Sequence, residues 1–269
     1  MVAEEKIVVT VGHKAKPAHF ALARDMAEKL GAPFSERGSL SLDALRARHG
    51  VSCVMVAKEK LVVDTPDGEL YFHPGMAHLR LKNLRRGERD HLLEALGLAT
   101  GMRVLDCTLG MGADAIVESF GAGGTGEVVA LEHNPIVAAL IAHGLQTAEG
   151  EHQTTIAAMR RVRVVCADFL DFLRAQPDRS FDAVYFDPMF RHPFTESAGI
   201  HPLRFLADPR PVPEEAIHEA RRVARRRVVL KESSKSGEFS RLGFAEFEGG
   251  KYSNVRYGVM RVGSCSTFP

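Results

Sequence analysis

Apolar and polar positions along the chain fall into two regimes. Residues 6–11 are a β-branched run that predicts a strand, and 17–30 carry apolar residues at helical spacing up to a stop at Gly31. Ser41 is placed to cap a second, short helix ending near His49 and Gly50. Residues 51–57 and 61–63 read as further strands. Asp67-Gly68, ahead of Leu70-Tyr71-Phe72, is a hairpin turn signal. Residues 1–75 therefore read as a small N-terminal α/β domain.

From residue 88 the pattern becomes regular. It predicts a helix over 88–98, strand Arg103–Asp106, a helix from Gly112, a strand over 127–131 and helix Pro135–Thr147. Strand Val162–Cys166, a helix over 168–175 and strand Phe181–Phe186 follow. Strands alternating with helices imply a mostly parallel sheet covered on both faces, with right-handed crossovers. Pro213 opens another helix, with acids in its first turn and arginines in its last, as the helix dipole favours. Residues 228–231 read as a strand, and 244–248 with 256–262 as a terminal hairpin. Residues 191–212, rich in proline, read as an irregular stretch where a substrate lid would lie. Together 76–269 form the second domain.

Between the regimes, Lys82, Arg85, Arg86 and Arg89 recur at i, i+3, i+4 and i+7, so one helix would present them on a single face. Gly87 weakens that helix. Spacing alone favours a solvated charged face over a phosphate-binding stripe, and His78 with Arg80 reads as a local surface pair. Gly12-His13-Lys14, after the first strand, reads as a solvated connection in preference to a ligand loop.

Composition narrows the classes. The 269 residues, 45% of them apolar, suffice for one large core and a smaller one. A net charge of +1 gives no global basic field, so a nucleic acid would have to be met by a local patch. Cys53, Cys107, Cys166 and Cys265 form no close pair, which argues against a disulfide framework and a CxxC metal site. No metal is expected, and a reducing compartment is. The N-terminus resembles neither a signal peptide nor a membrane span, so the expectation is a soluble cytoplasmic protein.

Candidate chemistry centres on residues 104–114, VLDCTLGMGAD, which read as strand, glycine turn and helix. Gly110 can take a positive φ and Gly112 lets backbone approach a ligand, so a cofactor can lie across the helix N-terminus. The G-x-G-x-x-A pattern alone suits any nucleotide-binding βαβ unit. Four acids sharpen it. Asp106, Glu132, Asp168 and Asp187 each stand at or just past the carboxyl end of a predicted strand. Any one of them reads as a cap or a solvated carboxylate; four along one edge read as a site. Glu132, about 20 residues beyond Gly112, can accept both hydroxyls of a ribose. Asp168 and Phe169 can bond and cover an adenine. Asp106 and Asp114 flank the turn and would repel a pyrophosphate. S-adenosylmethionine, cationic and free of phosphate, fits better than a nicotinamide dinucleotide.

Asp187-Pro188-Met189-Phe190 resembles the [DN]-P-P-[YF] motif of amino methyltransferases, with Met189 in place of the second proline. The lone pair of a guanine amine is delocalised into the ring. Asp187 and the Pro188 carbonyl can accept its two N–H groups and aim that lone pair, while Phe190 stacks on the base. The plain alternative is a turn at Asp187-Pro188 with Phe190 in the core.

Residues 106–115, 132–141, 185–190 and 227–231, with MetAlaHis-x-Arg at 76–80, resemble the ribosomal RNA small subunit methyltransferase J family. Its members are class I enzymes that use S-adenosylmethionine to methylate N2 of a guanosine in 16S rRNA. The resemblance covers about residues 75–262. It implies a class I Rossmann-like sheet with an antiparallel last strand, and cofactor contacts from Ala113, Asp114, Glu132, His133, Asp168, Phe169 and Asp187. Ala113 stands where the family has Arg, Arg191 stands where it has Pro, and the family's lysines after the tetrad are missing. The expected partner is RNA, 16S rRNA or the small subunit. Other amine acceptors, a protein glutamine or a small molecule, remain open. So do a nicotinamide-dependent oxidoreductase and a non-catalytic module binding RNA through the arginines of 82–89 and through Arg221, Arg222, Arg225, Arg226 and Arg227.

Overall fold

A computed structural model describes residues 6–58, 60–188, 201–250 and 253–263. Contacts divide the chain into two units. The first takes the described residues up to His73, together with Asn134–Thr147 and 201–208. The second takes 74–133, and the described residues of 148–192 and of 209–269.

In the first unit β1 (Ile7–Val11), α1 (Pro17–Lys29), α2 (Leu42–His49), β2 (Cys53–Ala57), β3 (Leu61–Thr65) and β4 (Gly68–Tyr71) follow in order. The sheet runs β1-β2-β3-β4, parallel in its first pair and antiparallel in the others. The Ser41 hydroxyl accepts from Ala44 N–H at 3.0 Å and Gly50 closes α2 in the left-handed region, as expected of those residue types. Val8, Leu45, Val54, Val56 and Val62 make a core. The hairpin turn is one residue earlier than predicted, at Pro66-Asp67. Thr65 pairs with Gly68, and the Thr65 hydroxyl accepts from Asp67 N–H and donates to the Gly68 carbonyl.

The second unit contains α3 (Met76–Arg85), α4 (His91–Leu96), β5 (Arg103–Asp106), α5 (Ala113–Ala122) and β6 (Glu127–Glu132). Helix α6 (Pro135–Thr147), next in the chain, groups with the first unit: a Cβ on Gly144 would stand 2.1 Å from Cγ of Phe72, so the helix lies directly against that ring. The second unit resumes with α7 (Gln153–Arg161), β7 (Val162–Cys166), α8 (Phe169–Ala175) and β8 (Phe181–Phe186). Helix α9 (His201–Leu206), in the first unit, falls in the stretch expected to be irregular; Pro202 is tolerated because it sits in the first turn. The second unit ends with α10 (Glu214–Val223), β9 (Ala224–Ser233), α11 (Glu238–Arg241), β10 (Glu246–Glu248) and β11 (Val255–Arg261).

Its sheet runs β10-β11-β9-β8-β5-β6-β7. Strands β5 to β9 are mutually parallel, as the alternating pattern predicts, and β11 is antiparallel to β9, as the family resemblance implies. Alternation sorts the faces. Val184, Phe186, Val228 and Leu230 join Leu173, Ile217 and Phe239 on one side. Ala183, Tyr185 and Val229 join Leu92, Leu96 and Tyr257 on the other. The stripe Ala216, Ile217, Ala220 and Val223 buries α10. Helix α7 was not anticipated. The predicted helix over 88–98 is shorter, capped by Asp90, which accepts from Leu92 and Leu93 N–H, and closed by Gly97 at φ 57°. Among the described residues no helix is long and apolar enough to cross a membrane.

Candidate functional site

The carboxyl edge of the large sheet assembles the predicted acids. Strand order β7-β6-β5-β8 sets Asp168, Glu132, Asp106 and Asp187 in sequence along it. Asp106 closes β5, and its Oδ1 accepts from Thr108 N–H at 2.9 Å. Gly110 and Gly112 follow at φ 49° and 79°, a region that side chains rarely adopt. Gly112 is the N-cap of α5 and supplies no side-chain cap, so first-turn N–H groups are left to a ligand or solvent. Asp106 is only 1% exposed, and its Oδ2 has no hydrogen-bond partner among the described residues. Burial, with help from the Asp114 and Asp187 charges, pushes its carboxyl up to about 8 against the Thr108 bond.

Beside it lies a network that alternation along the strands explains. Asp187 follows Tyr185 on the same face, and Lys231 follows Val229 on the neighbouring strand, where Tyr185 pairs with Val229. Lys231 Nζ donates to Asp187 Oδ2 at 2.6 Å and to Asp114 Oδ2 at 2.9 Å. The Tyr185 hydroxyl also donates to Asp114 Oδ2, at 2.8 Å. Arg80 donates to Asp114 Oδ1 and, through two bonds of 2.8 Å, to Asp90. The Asp187 N–H donates to Thr108 Oγ1 at 2.6 Å, which fixes the end of β8 against the glycine turn. Burial works against the Asp114 charge, but Lys231 and Arg80 overcome it and hold the carboxyl below its usual range. Burial pushes Asp187 up to about 6 despite Lys231, and the charge of Asp114 adds to the rise. Lys231 stays protonated well above its ordinary range, because the two carboxylates outweigh its desolvation.

The other candidates are nearby. Glu132 ends β6 opposite Cys166. His133 Nδ1 stands 3.9 Å from Asp168 Oδ2. Asp168 does cap α8, accepting from Leu170 and Asp171 N–H through Oδ1, while Oδ2 accepts from Arg210 at 2.9 Å. Phe169 meets Phe186 edge-on at 5.7 Å. Ala113 opens α5 and Pro188 follows Asp187. Met189, Phe190 and the part of the expected lid up to residue 200 lie outside the described residues.

Several expectations are corrected. Arg80 is no surface partner of His78: it is mostly buried in the Asp114 network, and His78 Nδ1 instead bonds Glu151 at 2.5 Å. Helix α3 stops at Arg85, so Arg89 leaves the shared basic face and pairs with Glu94. Arg227 donates to the carbonyls of Glu94 and Ala95, and Arg222 to those of Gln176 and Leu173, so both serve helix ends rather than RNA. Arg225 and Arg226 lie at the start of β9, 3.7 and 3.8 Å from Asp182. At roughly 3.3 Å per residue, that is about 16–20 Å of strand from Lys231. Asp114 flanks the turn, but two cations neutralise it, and burial leaves Asp106 largely protonated at pH 7, so the charge argument against a pyrophosphate falls.

Sequence reading missed Lys231, Arg80, Tyr185 and Thr108 as members of this cluster. A lone lysine ending the apolar run ValValLeuLys was the signal available for Lys231. It also missed Glu118, which is fully buried on α5 with no hydrogen-bond partner among the described residues for either oxygen. Burial drives that carboxyl well above its ordinary range.

Residues 52–241 match a family model described as "Putative SAM-dependent methyltransferase". The chain belongs to the S-adenosylmethionine-dependent methyltransferase family. It is 37% identical over 255 residues to the uncharacterized protein YpiP of Bacillus subtilis, covering 94% of this chain and 99% of that one. It is 30% identical over 231 residues to ribosomal RNA small subunit methyltransferase J of Thioalkalivibrio sulfidiphilus, covering 81% and 85% respectively. A crystal structure of a SAM-dependent methyltransferase from Neisseria gonorrhoeae superposes with a TM-score of 0.64 at 18% identity, over 94% of this chain and 95% of that one, a likeness of fold. S-adenosylmethionine is therefore the methyltransferase's cofactor, and the nicotinamide reading is set aside. The site fits it: the buried, unpartnered Asp106 Oδ2 is an acceptor suited to an ammonium donor, and the cations beside the glycine turn, Arg80 and Lys231, are committed to Asp114 rather than offered to a phosphate.

Proposed function

We propose that this methyltransferase modifies the exocyclic N2 of a guanosine in 16S ribosomal RNA. The observation that carries the reading is the seat of Asp187. Its backbone is fastened to Thr108 beside the glycine turn and its carboxyl to Lys231, so an acceptor at Asp187-Pro188 would lie next to the cofactor edge. An rRNA acceptor is supported by the relative from Thioalkalivibrio sulfidiphilus, whose name specifies small-subunit ribosomal RNA. Such a substrate implies work in the cytoplasm.

Bound S-adenosylmethionine supplies an electrophilic methyl on a sulfonium. Asp106, the Gly110–Gly112 turn, Glu132, His133 and Asp168 would hold it, and Phe169 would border the adenine. Ala113 contributes backbone at the helix start. The Asp114 carboxylate is committed to Arg80, Tyr185 and Lys231, so we assign it to holding the site together. Asp187 and the Pro188 carbonyl accept the two amine N–H groups and turn the nitrogen lone pair out of conjugation. Catalysis is then placement and electrostatics, with no strong base needed. The target base must be unpaired or extruded to reach them.

The test is incubation of the protein and labelled S-adenosylmethionine with 16S rRNA and with small subunits, followed by nucleoside mass spectrometry. N2-methylguanosine is expected, reduced about 10²- to 10³-fold by Asp187→Ala, with S-adenosylhomocysteine binding retained. A methyl group on another nucleoside, or none on RNA, would sink the guanine assignment. Full activity in Asp187→Ala would sink the role given to Asp187.

A further inference from the structure

We propose that Lys231 is a positioning residue for methyl transfer: clamped between Asp114 and Asp187, its ammonium fixes the Asp187 carboxylate as an anion, with Oδ2 held and Oδ1 left for the acceptor amine. This rests on the proposed role of Asp187.

The geometry is a chain of alternating charge. Asp90 caps α4 and takes both bonds from Arg80. Arg80 reaches Asp114, and Asp114 shares its other oxygen between Tyr185 and Lys231. Lys231 ends the chain on Asp187 at 2.6 Å. Its ammonium is thus held at two points, only 20% of the side chain is exposed, and its second anchor, Asp114, is itself held by Arg80 and Tyr185. The clamp orients as well as charges. A carboxylate with one oxygen bound to a fixed cation has little freedom to rotate, so the other oxygen presents its lone pairs in one direction.

Charge matters because the acceptor amine offers two N–H donors. An ionised Asp187 accepts one of them in a charge-assisted bond, whereas a protonated Asp187 keeps only a weaker neutral acceptor and adds an O–H donor that competes for the site. The groups facing Asp187 are Asp114 from α5, Asp106 from β5, Tyr185 from its own strand, Tyr257 from β11 and Lys231 from β9, while Arg80 from α3 reaches it only through Asp114. Burial and the acids favour the proton; Lys231 is the close cation that favours its loss. Neutralising Lys231 should therefore keep Asp187 protonated into the neutral range. The transfer step would slow there and recover as pH rises.

Lys231→Met, Lys231→Gln and Lys231→Arg test this in the full chain. A carbon-13 titration of the Asp187 carboxyl needs no substrate, and single-turnover transfer to small-subunit RNA between pH 6 and 9 reads the consequence. In the Met and Gln variants the Asp187 midpoint should rise by about one pH unit or more, and transfer at pH 7 should fall about tenfold or more. That loss should shrink towards pH 9, with the KM for RNA little changed, while the Arg variant keeps the wild-type profile. A loss equal at every pH, or an Asp187 midpoint that does not move, overturns the proposal. If Met does not fold, Gln decides it. If the wild-type protein methylates no RNA, the assigned substrate falls, while the titration still decides whether Lys231 governs Asp187.

Discussion

The Tyr185 hydroxyl donates to Asp114 Oδ2 at 2.8 Å, joining the central strand to the first turn of the helix behind the glycine turn. Asp114 keeps Lys231 and Arg80 when that bond is deleted, so Tyr185→Phe should cost only about 1 kcal/mol of stability. Arg80→Ala is different, because it removes the cation of the mostly buried Asp90 and leaves Asp114 only Lys231 as counterion; a loss of about 3–5 kcal/mol is expected. Urea denaturation of the two variants checks the contrast. Equal losses would mean that Arg80 is not the counterion on which the network depends.

Cofactor binding should depend on pH through Asp106. In the free protein this carboxyl is pushed up to about 8, chiefly by burial, so it is largely protonated at pH 7. A ligand ammonium favours its ionised form and lowers that midpoint, so binding releases a proton. The affinity for S-adenosylhomocysteine should therefore rise with pH from about 6 and level off near 8. Calorimetry in buffers of different ionisation enthalpy reads the proton release. Asp106→Asn should weaken binding and flatten the slope, and an unchanged slope in that variant would assign the proton to another group.

Glu118 makes a stability prediction of its own. Its carboxyl is driven by burial well above 4.5, so the folded state holds a proton that the unfolded chain gives up more readily. Stability is then lost as pH rises from the ordinary carboxylate range towards the folded value. Glu118→Gln has no such proton to hold. Its thermal midpoint should exceed that of the wild type by a margin that grows between pH 5 and 8. A constant margin would mean that Glu118 keeps its proton equally in both states.

Much of this was legible in the chain because it is local. Ser41 and Gly50 bound their helix through their own backbone and hydroxyl chemistry, and the glycines of 104–114 mark a turn that few other residues could make. Strand ends are readable too, so the sequence alone sets Asp106, Glu132 and Asp187 on one edge. What failed were statements about which way a charged side chain turns. Arg222 and Arg227, open between RNA phosphates and the helix dipole, serve helix carbonyls; Arg80, which reads as half of a surface pair, is the hub between Asp90 and Asp114.

By itself the sequence determined the alternating elements, the mostly parallel sheet, the glycine turn and the row of acids, since each follows from spacing within a short window. Only the tertiary structure decided the charge partners. Lys231, Asp187, Asp114 and Arg80 come from four separate elements, and which strand lies beside β8 is a matter of topology that local periodicity does not encode. The ionisation of Asp106 and Glu118 was decided there as well, because burial in the assembled core, and not the identity of the residue, sets whether its proton stays.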